Sequence, residues 1–264
     1  VQIQATDIAE FRAAQAAIGG LAVADLRDVW APLNLSNPER VRDALLQTVP
    51  AITTQWGETS AVIAAEWYGD MRADAGVVER YSPRMAEVVA AVAAEQSVRF
   101  SAAHLWTANP GQMLLYLEGA VTKFAMQPGR DTITENVEQD PDAVSWRRMA
   151  SPDACAYCAY MVTIVREGNP MEQHEKYHPG CRCTPVPVFE GQIAPWQVNA
   201  IEWADIFDRA ADDINVERQK LPGWHTMRRP DRSKHYPEYQ ITTKNILARA
   251  RRIAPHMFRD GVRA

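Results

Sequence analysis

The chain has 264 residues, of which 47% are hydrophobic and 23% charged, enough to bury a sizeable core in one large domain or two small ones. No run of about 18 uncharged apolar residues occurs, which excludes a membrane-spanning helix, and Val1-Gln2-Ile3-Gln4 lacks the charged start and apolar run of a signal peptide, so none is expected. The net charge of −5 is split: from Arg218 onward 12 Lys and Arg face three Asp and Glu, a surplus of +9, which leaves −14 on residues 1–217. An acidic body with a basic tail points to an anionic partner for the tail; the plainer alternative is a solvated tail that offsets the body.

Helical signals come first. Asp7 and Glu10 form a capping-box-like start, and Gly19-Gly20 a plausible stop. Ser36 or Asn37 caps a second helix with Pro38 near its first position, and Val41, Leu45 and Val49 recur at spacing four until Pro50 interrupts. A longer helix follows, with Trp56, Val62, Ile63, Trp67 and Met71 on its apolar positions. After Pro83 two more are predicted, Met85 to about Thr107 and Gln112 to Met126, separated by the turn Asn109-Pro110-Gly111. Pro128-Gly129 is expected to close this helical domain, residues 1–127.

The second segment, residues 128–190, reads as the small β part. Thr132, Ile133 and Thr134 favour extended backbone, and Asp140-Pro141-Asp142 favours a turn. Residues 143–150 suggest a short strand; 183–191 alternate but carry Pro185 and Pro187, so at best they form an edge strand. In the third segment, residues 191–264, a helix from about Val198 to Arg218 leads into a Pro-rich basic stretch and a last helix, about Thr243 to Ile253. The fold class is therefore mainly α (α+β), with an extended basic arm ending in a helix.

All four cysteines lie between Cys155 and Cys183, in the order Cys155-x2-Cys158, 19 residues, His178-x2-Cys181-x-Cys183. Thiolates and an imidazole at this spacing suit a tetrahedral structural Zn²⁺, with five candidates for four places. His178-Pro179-Gly180-Cys181 has a turn at its centre, which suits a chelating knuckle. Cys181 and Cys183 would face opposite ways on a regular strand, so both can bind only where the backbone is irregular. Two disulfides are the competing reading, weakened by the absence of a secretory signal and by a body large enough to fold without bridges. The stretch also contains His174-Glu175-Lys176-Tyr177-His178, which matches the metallopeptidase pattern His-Glu-x-x-His. That pattern needs a core-packed helix, whereas here it lies between Pro170 and Pro179, with His178 directly before a proline and polar neighbours. No enzymatic activity is expected. A nucleic-acid-binding zinc module is a further alternative, but Arg166, Lys176 and Arg182 are offset by Glu167, Glu172 and Glu175, leaving no basic face.

The stretches "SPDACAYCAYMV" and "YHPGCRCTPVPVFEG" resemble the C-terminal motif of Mu-F-like phage minor capsid proteins, the head morphogenesis proteins, in the form found in phages of actinobacteria. The resemblance extends over about residues 36 to 190. It implies a structural virion protein, present in few copies, at the portal vertex or the capsid interior after assembly from the host cytoplasm. Portal and major capsid proteins are the implied partners. It places Cys155, Cys158, His178, Cys181 and Cys183 on the family's motif and implies no catalytic residue.

The tail lies outside that resemblance. Its Pro and Gly content before Pro237 argues against a compact core of its own, and its aromatics are spaced too irregularly for one amphipathic face. Trp224, Arg228, Arg229, Tyr239, Arg251 and Arg252 are the expected partner-binding residues, docking onto a neighbouring subunit in preference to packaged DNA.

Overall fold

A computed structural model describes residues 3–163, 177–193 and 199–260. It is mainly helical with one two-stranded sheet, and it divides into two compact units. Among the described residues, the first holds 3–148 and 177–193 and the second holds 149–163 and 199–260.

In the first unit, α1 (Ala5–Trp30) runs on through Gly19-Gly20 and buries Ile8, Phe11, Ile18, Ala22 and Leu26, a stripe at helical spacing. Gly19 lies against Thr122 and Met126, where a Cβ would stand 3.1 and 3.2 Å from them, so this glycine serves close packing and does not end the helix. α2 (Pro38–Asp74) begins where Asn37 accepts a hydrogen bond from the Arg40 amide, with Pro38 at the first helical position. It passes straight through Pro50, contrary to the expected interruption. Val41, Leu45, Val49 and Ile52 stay in register across the proline and enter one core, and that burial outweighs a single missing backbone hydrogen bond.

The segment after Pro83 does not become helical until α3 (Ala91–Ala102), which is followed by a 3-10 turn over Ala103–Trp106. The preceding stretch is held by side chains of another helix. Asn136 accepts from the Arg84 amide and donates to the Arg84 carbonyl, while Thr132 accepts from the Ala86 amide. Those side chains belong to α4 (Gln112–Gln139), which continues through Pro128-Gly129 and through Thr132-Ile133-Thr134. The predicted stop and extended run are thus both corrected, and helix passes the proposed boundary at residue 127. The Gly129 amide donates to Ser60 Oγ (3.1 Å), Ser60 Oγ to Gln15 Oε1 (2.6 Å), and Gln15 Nε2 back to the Ser60 carbonyl (3.2 Å). At Pro128-Gly129, α1, α2 and α4 therefore come together and share a buried polar knot.

A second buried polar node closes the end of α4. Arg72 Nε donates to Asp140 Oδ2 (2.9 Å), as does the Tyr68 hydroxyl (3.1 Å), and Arg72 Nη2 reaches Asp142 (2.5 Å). Burial first, and the Asp140 charge second, push the Tyr68 phenol far above its ordinary range, so it remains a neutral donor. β1 (Ala143–Met149) and β2 (Thr184–Phe189) are strands, as the sequence suggested for both, and they pair with each other. β2 is buried along its whole length and packs on α4 in spite of its two prolines.

The second unit contains α5 (Ala156–Thr163), α6 (Ala200–Gln219), α7 (Arg229–His235) and α8 (Thr243–Ile253). The tail is folded, which corrects the expectation of an arm without a core. α6 buries Trp203, Ile206, Phe207, Ala210 and Ile214; α8, capped by Thr242, buries Ile246, Leu247 and Ala250. Phe258 stacks on Phe207 at 5.7 Å, and Tyr160 of α5 meets Phe207 edge-on at 5.1 Å. The prolines sit at the starts of short helices and 3-10 turns, at Pro230, Pro237 and Pro255, where they interrupt no hydrogen bond.

Candidate metal centre

His178 to Cys181 form the expected turn: the Cys181 amide donates to the His178 carbonyl at 3.0 Å, and Gly180 takes the left-handed conformation at φ +70°. The chain stays irregular until β2 starts at Thr184, and the Cys183 amide points at Cys181 Sγ from 3.5 Å. The irregular backbone required for Cys181 and Cys183 to face one ion is therefore present. His178 Nδ1 lies 2.7 Å from the Pro179 carbonyl, which fixes Nδ1 as the protonated nitrogen and leaves Nε2 as the lone-pair donor.

The surroundings of Cys181 and Cys183 contain two residues that sequence reasoning missed. Arg130 and Arg148 are each 3% exposed and lie over the buried Tyr177 ring, 4.2 and 4.4 Å from its centroid. Arg130 donates to the carbonyls of Cys181 (2.6 Å) and Cys183 (3.3 Å); Arg148 Nη2 approaches Cys181 Sγ at 3.5 Å. Burial works against the Arg148 charge, yet Cys183, Tyr177 and Cys181 hold its pKa above the usual arginine range. Burial also pushes the Tyr177 phenol well above its ordinary range. A guanidinium buried at sulfur, that of Arg148, is well matched to thiolates, whose negative charge offsets its own, while Arg130 holds the carbonyls of the same segment. In the sequence the only trace is that both arginines stand among residues otherwise suited to burial.

The other cysteine pair opens α5. The Cys155 carbonyl accepts from the Ala159 amide (3.0 Å), so Cys155 and Cys158 lie on the first helical turn, not in a free-standing loop. Asp260, far along the chain, accepts the Ala156 amide at 2.8 Å and pairs with Arg251 at 2.6 Å; the Arg259 amide donates to the Ala154 carbonyl (3.1 Å). Burial opposes ionisation of Asp260, but the Arg251 and Ala156 hydrogen bonds hold its carboxyl below the ordinary aspartate range.

All four cysteines are buried and unbridged. Cys155 and Cys158 belong to the second unit, and His178, Cys181 and Cys183 to the first. This donor set is compatible with zinc. His174 and Glu175 lie outside the described residues.

The expected partner-binding residues are dispersed over the second unit. Trp224 is 6% exposed and covered by Arg218 and Arg232, 5.4 and 5.1 Å from its ring, so it is not a projecting anchor: the chain's own guanidiniums occupy its faces. Arg228 pairs with Asp231 and Arg251 with Asp260; Arg229 and Arg252 are exposed, and Tyr239 is half-buried in a 3-10 turn. An apolar surface that the sequence reading did not single out lies on the first unit. There Tyr116 stacks on His104 (5.0 Å) and meets Phe100 edge-on (6.3 Å), with Phe100 76% exposed.

The architecture is that of a mainly helical, two-unit protein with four buried, unbridged cysteines. The family described as VG15 protein matches residues 2–210, and the chain belongs to that phage protein family. The match takes in α1 and the first half of α6, beyond both ends of the resemblance noted from the sequence, and stops before the basic tail. No curated protein and no solved structure matches the chain. Among the described residues, no helix is long and apolar enough to cross a membrane.

Proposed function

We propose that the protein is a structural minor capsid protein of a tailed phage, of the Mu-F-like head morphogenesis type found in phages of actinobacteria. In this reading it joins the portal vertex or the capsid interior and carries one structural Zn²⁺. The observation that carries the proposal is the Cys/His spacing, with all four cysteines buried and unbridged, in a member of a phage family. Four of Cys155, Cys158, His178, Cys181 and Cys183 would hold the ion. Its role would be to fix the short turns that carry the cysteines. The guanidiniums of Arg130 and Arg148 fit a thiolate-rich zinc site, which carries net negative charge. The exposed Phe100–Tyr116 surface suits contact with a portal or major capsid subunit.

Reduced protein purified without chelator should contain one zinc per chain by elemental analysis, and chelation should lower its melting temperature. Metal-free protein with an unchanged melting temperature would refute the zinc site. In assembled heads the protein should be countable by mass spectrometry, and Phe100→Ser with Tyr116→Ser should reduce its incorporation. Glu175→Gln should leave head assembly unchanged. Metal-dependent cleavage of a capsid or scaffold protein that disappears in this variant would replace the structural reading with a peptidase.

A further inference from the structure

The arginines of the second unit fall into two sets. Arg249 is bound by Glu217 and Asp213, and Arg251 by Asp260; these pairs hold α6, α8 and the start of α5 together. Arg218, Arg229 and Arg232 form no ion pair among the described residues. All three line one cleft of about 540 Å³, with Trp224, Gln240 and Thr242 among the other lining residues and no acidic side chain in its wall. Arg218 and Arg232 are brought to the same ring from 5.4 and 5.1 Å, and Arg232 Nε is a buried donor without a hydrogen-bond partner. Three like charges gathered in one concavity repel one another unless an anion joins them. The guanidinium fork matches the tetrahedral oxygens of a phosphate, and the Thr242 hydroxyl, which accepts from the Asn245 amide, keeps its own hydrogen to donate at the same wall.

We infer that this cleft binds phosphates of a DNA backbone. Two observations favour a polynucleotide over a single small anion. The cleft is much larger than one phosphate, and the tail's surplus of +9 outweighs the −5 of residues 200–217 in the same unit, a field that acts on a polyanion. Trp224 is covered by the chain's own arginines, so the cleft offers no aromatic face to an apolar side chain of a protein partner. What it presents is charge, which recognises backbone and not base sequence. The inference goes beyond the structural reading and does not depend on the zinc site.

The test uses the full chain and a labelled DNA duplex of mixed sequence, titrated between about 50 and 200 mM salt. Arg229→Gln is the informative variant, because the Arg229 side chain is exposed and makes no described hydrogen bond. It should weaken binding several-fold at low salt and lower the slope of log K against log salt by about 0.9, one phosphate contact. Arg209→Gln removes the same charge from an exposed part of α6 outside the cleft and should leave the slope unchanged. Both variants should keep the parent's melting temperature. Equal losses from the two variants would overturn the cleft as the site. Absence of salt-dependent duplex binding would overturn the ligand, as would inorganic phosphate shifting the Trp224 indole resonance while the duplex does not bind.

Discussion

In the first unit the polar side chains that matter lie inside. Gln15, Ser60, Arg72, Thr132, Asn136 and Asp140 are each at most 6% exposed, and each meets a partner on another helix or on the segment before α3. In the second unit the interior is apolar and aromatic, built from Trp203, Phe207, Ile214, Leu247 and Phe258, while the charged contacts of Arg249 and Arg251 lie at its rim. The difference follows from element length. Long helices that cross closely trap polar groups between them, and each trapped group must be satisfied. Short helices gather around a few large side chains, and their connections are secured by ion pairs that water still reaches.

Asp140→Ala breaks this comparison at its strongest point, because it leaves the Arg72 guanidinium and the Tyr68 hydroxyl buried without their shared carboxylate. Urea denaturation should show a loss of about 3–5 kcal/mol, nearly the same at low and high salt. Gly129→Ala comes next: its Cβ would stand 2.3 Å from Ser60 Oγ and 2.8 Å from Gln15, so α4 must move away from α1 and α2. About 1–3 kcal/mol should be lost by the same measurement, and Ser60→Ala in the same chain should restore part of it by relieving the nearest clash.

Asp260→Asn probes the second unit with a smaller effect. Its folded-state pKa is lowered, so its stabilisation is complete above the ordinary aspartate value and is lost as pH falls through the folded value. The parent should therefore show faster hydrogen exchange at the Ala156 amide as pH drops below about 4, once the intrinsic pH dependence of exchange is removed. The variant should show that fast exchange already at neutral pH and lose the acid step. Arg249→Gln should have the smallest effect, a lowering of the melting temperature that shrinks with added salt, as expected of a pair at the solvent rim. A salt-independent loss there would mean that the second unit is built like the first.

Periodicity and composition determined the mainly helical class, both strands, the helix near Thr243 to Ile253 and the charge split between body and tail, because each is a local property summed along the chain. The clustering of the cysteines likewise needed only spacing. Tertiary structure decided what the punctuation residues do. Pro50 and Pro128-Gly129 read as stops, yet they lie inside helices, since a stripe packed on a shared core outweighs one missing hydrogen bond and a glycine admits a neighbouring helix. The tail's aromatics read as anchors for another subunit, but Trp224 is covered by arginines of its own stretch and Phe258 by Phe207, 51 residues upstream, a partner with no signature in local spacing. Arg130 and Arg148 could not be found from sequence for a like reason: what makes them part of the cysteine segment is burial against its carbonyls and, for Arg148, against the Cys181 sulfur, which only the folded chain creates.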